Sequence, residues 1–572
     1  MTALRAAAVI AVLLMPIALG CSEPLPTPDG ESLELTLEGG ARIDQVAGLD
    51  QQALVLDGNE GTYAHADAPD LPDELAAFRV EAKVRIDEHR AGTVAMEWPG
   101  AFKVYFDSNG YFWLITWPQS GQLTAASKAQ VPLGKWTDVA AEYRAGDIGL
   151  LYVNGRSVYS FRGSGALTPE ADRLEFGRHP WTDDEGNEHT QWMHGAVAAP
   201  RITMLPDGDS PTLEGSGMQN SMCISFGDAI VKGEGWRKLN SPDDVPPLIE
   251  ELKRYSVTKV FLRCSSIMIM ELYERRMEED HWYIEAINAI EGDMHATIID
   301  ACHEAGIKVY AYRSIFDEGS PPSVKYGGNT PFIWQSKFTI EHPEYLRVNR
   351  DGTKRQWGVL CFAYPQAREY MVGTFEYLME RWDFDGIYIC TRTHSMPAEF
   401  ADQFGFNDPI VEEFQRRYGV NIREEEFPRS RWYDLQGEGL TELLREMRAA
   451  FPDEEIVIAI PRSDYIGPPY GNMRLDWRTW AQEGLVDTIR LGVISGGWHY
   501  PDTRNLPGYI QSQQDDVGMR PLEYDLGEWF GPWCEQYSTG LHTPGPVFPT
   551  DMDRELLELP GVEGFAFGFR IR

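Results

Sequence analysis

Cysteine is scarce: there are seven in 572 residues, at positions 21, 223, 264, 302, 361, 390 and 534. None forms a C-x-x-C pair or a zinc-ribbon spacing, so no metal knuckle is expected. Positive charge is short as well. Lys plus Arg number 51 against 88 Asp plus Glu, a net charge of −37, and bulk charge of that sign repels DNA, RNA and anionic surfaces. No nucleic-acid partner is expected. The chain also lacks a Walker loop, a glycine-rich dinucleotide fingerprint, an H-E-x-x-H helix and a G-x-S-x-G elbow. No cofactor and no bound metal are therefore expected. What the sequence has in quantity is aromatic residues, with 17 Trp, 25 Tyr and 25 Phe. Their flat apolar faces and polar edges suit cores, interfaces and pyranose rings alike.

Met1–Gly20 carries one Arg and then an apolar run, the pattern of a secretory signal. It ends Ala18-Leu19-Gly20-Cys21, which resembles the lipobox of bacterial lipoproteins except that Ala18 stands where that pattern prefers Leu. The resemblance implies a lipid on Cys21, a membrane-anchored chain and a cell-envelope location; an ordinary signal peptide ending near a cysteine is the alternative. Residues 21–30 are rich in Pro and polar residues and read as a tether.

From 31 to 205 short strands alternate with Gly and Pro turns. Phe78–Ile86 alternates apolar and charged without an error, the period of a strand buried on one face. Ser108-Asn109-Gly110 and Val153-Asn154-Gly155-Arg156 are hairpin signals. The pattern predicts an all-β antiparallel sandwich. Ala53–Asn59, Phe78–Ile86, Leu133–Ala140, Leu151–Arg156 and His194-Gly195 together resemble the laminin-G-like jelly roll of the concanavalin A-like superfamily, whose members bind sugars, bind proteins or pack on a catalytic neighbour. Trp98, Trp113, Trp117, Trp181 and Trp192 are candidates to stack on a glycan or to fill the core, and Trp136 holds a position that is normally core. The acidic loop Asp183–Glu188 has oxygen ligands that suit calcium, without EF-hand spacing; a solvated loop is the simpler reading.

Residues 206–217 form a Gly, Pro and Ser linker. From 218 to 572 apolar strands alternate with helical segments, and eight strand candidates in a region of this size predict an α/β fold, a (β/α)8 TIM-type barrel. His303–Tyr312, His342–Tyr345 with Arg350–Gly352, Trp382–Tyr388 and Asp476–Asp487 resemble glycosyl-hydrolase-like family 10 barrels. The resemblance implies a glycoside hydrolase acting on a polysaccharide or oligosaccharide. After Asp385-Gly386-Ile387-Tyr388, however, the run Ile389–Ser395 has no carboxylate where the family carries one.

Glycoside hydrolysis needs two carboxyl groups, one protonated and one ionised, and a barrel presents them at the C-terminal ends of its strands. That filter leaves Asp228, Asp317, Glu318, Asp464, Asp502, Glu523, Asp525 and Glu528. Asp464 leads, following the apolar run Ile456–Ile460, and Asp317 and Glu523 come next as catalytic candidates. Asp385 and Asp487 precede their strands and read as structural. Arg263, Arg313, Arg392, His394, Arg462, Arg490, His499 and Arg570 gather at strand ends. Each alone is ordinarily an ion-pair partner, but together they predict a locally positive cleft for an anionic sugar. Trp498 and Trp529, with Trp334, Trp357 and Trp533, lie in the long loops as stacking candidates. A non-catalytic glycan-binding protein and a polysaccharide lyase remain the competing functions.

Overall fold

A computed structural model describes residues 21–27, then 32–225 except 91, 120, 183–185, 207 and 209, then 239–264, 273–275, 289–319, 325–326, 330–331, 334–391, 404–460, 465–466, 473–491, 523–525, 548–555, 562–564 and 566–568. The chain divides into two compact units, with the main boundary between Asp209 and Ser210.

Among the described residues the first unit's regular elements are all strands. They are β1 (Cys21–Pro26), β2 (Ser32–Glu38), β3 (Arg42–Gln45), β4 (Gln52–Asp57), β5 (Tyr63–Asp67), β6 (Ala77–Ile86), β7 (Thr93–Trp98), β8 (Phe102–Phe106), β9 (Tyr111–Thr116), β10 (Leu123–Gln130), β11 (Thr137–Arg144), β12 (Ile148–Val153), β13 (Arg156–Arg162), β14 (Arg173–Phe176), β15 (Arg178–Thr182), β16 (Glu188–Trp192) and β17 (His194–Met204). One sheet has the order β1-β2-β5-β14-β7-β8-β9-β10, and the other β13-β12-β11-β6-β17-β4-β3. Every second residue of β6 is buried: Phe78, Val80, Ala82, Val84 and Ile86. Phe78 stacks on Phe102 of the opposite sheet, with ring centroids 5.3 Å apart, so Phe102, Val104 and Phe106 face the core and Lys103 and Tyr105 face outward. The β12–β13 hairpin turns on Asn154 and Gly155, both at positive φ (51° and 76°), as a two-residue type I′ loop requires. Trp136, expected in this core, lies half-buried against Ala53, Val55, Ala196 and Ala198.

The tether expectation changes at its first half. Cys21–Pro26 pairs with β2 as an edge strand, Pro24 opposite Glu34 and Pro26 opposite Ser32. An edge tolerates proline because one side of its backbone has no ladder partner to lose. Met1–Gly20 lies outside the described residues.

The second unit is a parallel sheet with helices between its strands. Its strands, in chain order, are Asn220–Ser225, Val257–Arg263, Lys308–Ser314, Gly386–Cys390, Glu455–Ile460, Thr488–Leu491 and Glu523–Asp525, called first to seventh below. Each pairs in parallel with the next. Val562–Gly564 then pairs with the seventh strand, and Ala566–Gly568, two residues on, pairs with the first. Intervening helices include Val245–Arg254, Met294–Glu304, Pro365–Arg381, Arg429–Ala450 and Trp477–Glu483. Asp385 and Asp487 have the structural role expected of them. Asp385 accepts from the Val309 amide at 2.7 Å and Asp487 from the Ile456 amide at 2.9 Å, each fastening the start of the neighbouring strand.

Candidate functional site

Side chains alternate between the two faces of a strand, and Phe261, Tyr310, Tyr312, Tyr388, Cys390, Val457 and Ala459 form one buried cluster on one face of the parallel sheet, with Cys223 packed against it. Phe261 stacks on Tyr388 at 4.2 Å and meets Tyr310 edge-on at 5.5 Å. At the strand beginnings Lys259 bonds Glu455 at 2.7 Å, and Glu455 also accepts from the Tyr310 and Thr488 hydroxyls.

Toward the strand C-terminal ends the same face carries Arg263. Its Nη2 donates to Asp317 at 2.9 Å, and its guanidinium lies 5.7 Å from the centre of the Tyr312 ring. Asp317 follows the third strand on a tight turn, and its side chain is 2% exposed. Nearby, the fully buried Arg490 donates from Nη1 to the Tyr388 hydroxyl at 2.9 Å and to Cys223 Sγ at 2.8 Å.

Three expectations change here. Arg313 does not share that face. Tyr310 and Tyr312 belong to the cluster, so strand alternation turns Arg313 the other way, where it forms a fully buried ion pair with Glu318, which also accepts from Tyr370 of the Pro365–Arg381 helix at 2.8 Å. Nor do Arg263 and Arg313 add net positive charge to the rim, since Asp317 neutralises Arg263 and Glu318 neutralises Arg313. Glu523 opens the seventh strand in register with Thr488, the first residue of the sixth. It therefore belongs with the strand beginnings, whereas the sequence placed it near a strand's C-terminal end. Arg392, His394, Arg462, Asp464, Trp498, His499 and Trp529 lie outside the described residues. Cys390 is 2% exposed and occupies the end of the fourth strand, where the family resemblance expects an acid.

The sandwich carries a second concentration of ionisable groups that sequence reasoning missed. Register places His65 of β5 opposite Glu175 of β14, Glu175 opposite Glu97 of β7, and Glu97 opposite Lys103 of β8. This row lies on the outward face of its sheet, yet Glu97, Lys103 and Glu175 are all buried. The cause is the β15–β16 ribbon, which pairs with neither sheet and lies across the row. Arg178 bonds Glu175 at 3.2 Å, and His179 lies 3.1 Å from Glu97 and 2.7 Å from the Lys103 ammonium. Tyr63 and Trp192 meet at 6.1 Å, and the Arg178 guanidinium sits 4.3 Å over Tyr63. Burial pulls the Lys103 ammonium down to about 8, against the opposing attraction of Glu97. On the ribbon Trp181 stacks on His189 at 4.5 Å and remains 40% exposed. The available signal was a lone charge inside each apolar run (Glu97 in Thr93–Trp98, Lys103 in Phe102–Phe106), which alternation alone reads as a solvated face.

Among the described residues no group of three or more His, Cys, Asp or Glu could hold a metal ion, and the first half of the acidic loop weighed for calcium and read as solvated, 183–185, lies outside them.

Residues 57–197 match the family described as the concanavalin A-like lectin/glucanases superfamily, and the first unit is a laminin-G-like, concanavalin A-like β-sandwich. Solved structures similar to part of the chain include one of botulinum neurotoxin type C, whose cell entry is dependent upon interaction with two ganglioside molecules, at 11% identity and a TM-score of 0.24, covering 32% of this chain and 48% of that one. The binding domain of Paraclostridial Mosquitocidal Protein 1 is similar at 11% identity and a TM-score of 0.25, covering 34% and 53%. The chain thus spans about half the length of each. No curated protein matches.

Proposed function

We propose that this is an exported, carbohydrate-active protein, held at the cell envelope by a lipid on Cys21, whose second unit is a glycoside hydrolase of polysaccharide. Because β1 begins at Cys21 itself, such an anchor would leave no ten-residue tether, and the sandwich would lie close to the bilayer. In this reading the parallel sheet is a closed (β/α)8 barrel: the single stretch 562–568 serves both the seventh strand and the first, which supports closure.

The observation that carries the reading is Asp317, a buried carboxylate at a strand's C-terminal end, bonded to Arg263 beside an aromatic floor. A guanidinium at hydrogen-bond distance favours the ionised form of a carboxylate, which suits a nucleophile or general base; the protonated partner is assigned to Asp464, four residues beyond the end of the fifth strand. Glu523 is dropped from this pair by its position at a strand beginning.

The test is reducing-end release by the full chain from a panel of neutral and anionic polysaccharides. Asp317→Asn is expected to lower kcat by on the order of 10²–10⁴-fold, with the circular dichroism spectrum unchanged. Retention of a polysaccharide by the wild type with no product released would instead favour a glycan-binding barrel without catalysis. Cys390 and Ala459, at or next to the ends of the fourth and fifth strands where acids would be useful, support that second reading.

A further inference from the structure

We infer that the β15–β16 ribbon is an acid-released clasp, fastened to the outward face of the sandwich while His179 is neutral and freed from it when His179 is protonated. The inference rests on the first unit alone and is independent of the proposed hydrolase.

The fastening depends on one imidazole bonding in two directions. The Lys103 ammonium lies 2.7 Å from its ring nitrogens, and Glu97 Oε2 lies 3.1 Å from Nδ1. A neutral histidine meets both demands, donating from Nδ1 to the carboxylate and accepting from the ammonium at Nε2. A histidinium donates from both nitrogens and has no lone pair left to accept with. Protonation therefore turns the Lys103 contact from a hydrogen bond into a close approach of two cations, which is unfavourable. The position already resists positive charge, since burial pulls the Lys103 ammonium down to about 8.

The neighbouring charges do not absorb the added one. Glu97 of β7 is shared with Lys103 of β8 at 3.8 Å, and Glu175 of β14 is matched by Arg178 of the ribbon at 3.2 Å and by Arg173 at 2.6 Å. Three cations thus already face two acids, before His179 adds a fourth. On β16 the residue opposite His179 is the neutral Gln191, and on β5 the residue opposite Glu175 is His65, whose own protonation adds further positive charge.

Either Lys103 or the ribbon must yield, and the fold decides which. Lys103 sits in a strand paired on both sides, with β7 and with β9, and its side chain is 4% exposed. The ribbon pairs with neither sheet, and a two-stranded ribbon outside any larger sheet is marginally stable. Its far half, Pro180–Thr182 and Glu188–Thr190, is exposed. Its near end is seated by His179, by Arg178 on Glu175 and over the Tyr63 ring, and by Trp192 against Tyr63 at 6.1 Å. The ribbon is the part that moves, in the range of pH where histidine takes up its proton.

The experiment is hydroxyl-radical footprinting of the full chain at pH 7.5 and pH 5, read by mass spectrometry. Oxidation of Tyr63 and Trp192, which the seated ribbon half-covers, should rise about threefold in acid as a local opening, while the core residues Phe78 and Phe102 stay protected. His179→Gln, which cannot take up the proton, should remove the rise even though His65 and His189 still titrate. In Lys103→Met a histidinium faces Glu97 without a neighbouring cation, so acid should leave Tyr63 and Trp192 as protected as at pH 7.5. The inference is overturned if the wild type shows the same Tyr63 and Trp192 oxidation at both pH values, if Phe78 and Phe102 are exposed in parallel, or if either variant opens in acid as the wild type does.

Discussion

Arg313 was a candidate to grip substrate, and the fold gives it a different task that stability measurements can distinguish. Its guanidinium and the Glu318 carboxylate are both essentially inaccessible, with Tyr370 donating to the same carboxylate. Replacing Glu318 by Gln keeps the shape and the hydrogen-bonding capacity but leaves a buried cation without its counter-charge. Breaking a buried pair from one side costs about 3–5 kcal/mol. At about 2 °C per kcal/mol for a unit of this size, the melting transition should fall on the order of 6–10 °C. The double variant Arg313→Met with Glu318→Leu should recover most of that loss, because the desolvation of both ions disappears together. Differential scanning calorimetry of the full chain, following the transition that moves, reads all three proteins. A Glu318→Gln protein melting within 1–2 °C of wild type would refute the reasoning, as would a double variant no better than the single one. If Arg313 instead served a ligand, its replacement would lower polysaccharide affinity and leave melting unchanged.

His295 is fully buried beside Trp382, and burial holds its imidazole down to about 4. Its folded value lies below the unfolded value of 6.5, so the unfolded chain takes up the proton first and stability falls as pH drops from 6.5 toward 4. The loss is about 3 kcal/mol by linkage; His295→Phe should flatten that limb in urea titrations at pH 4.5, 5.5 and 7, and an unchanged slope would count against it. Lys103 acts with the same sign in a higher window: it is deprotonated in the fold above about 8 but near 10.5 when unfolded, so stability should rise with pH across that window and Lys103→Met should abolish the rise. Gly155→Val places a β-branched residue at φ 76° and should cost on the order of 1–2 kcal/mol of sandwich stability, read by equilibrium unfolding; no measurable change would show that the turn is not held as described.

Periodicity alone located most of the scaffold. Phe78–Ile86 is a strand because its alternation had no competing period, and the Val153–Arg156 turn followed from Asn-Gly chemistry. The parallel strands were visible as apolar runs between helices, with bounds shifted by two residues or so. That shift was enough to misplace Glu523: reading the seventh strand as Arg520–Tyr524 put at its end a residue that begins it. Arg313 failed for a related reason, since a strand-end residue faces the aromatic cluster or the opposite face of the sheet according to parity, and parity is fixed by Tyr310 and Tyr312, not by the arginine. The outward row of the sandwich was legible only as isolated charges. What turns them into a buried cluster is a ribbon crossing from elsewhere in the chain, and no local pattern encodes that crossing.

The two ends of the parallel sheet constrain where chemistry can occur. Lys259 and Glu455 close the end where strands begin, and Phe261, Tyr310 and Tyr388 fill the level above them without exposed surface. In the hydrolase proposed above, a sugar could therefore not pass below Tyr312, and the reacting bond would lie at the height of the Arg263–Asp317 pair or above it. At that height the end of the fourth strand supplies a thiol and the fifth an alanine followed by isoleucine, whereas the seventh strand ends in Asp525; a second acid would come from there or from a loop. Loop-borne acids are set by the loops' own packing, which makes their separation adjustable. Whether the unit hydrolyses with retention, with inversion or only binds then depends on how one loop carboxylate, Asp464 in this reading, stands relative to Asp317: about 5–5.5 Å favours a covalent intermediate, and about 6.5–9.5 Å leaves room for a water.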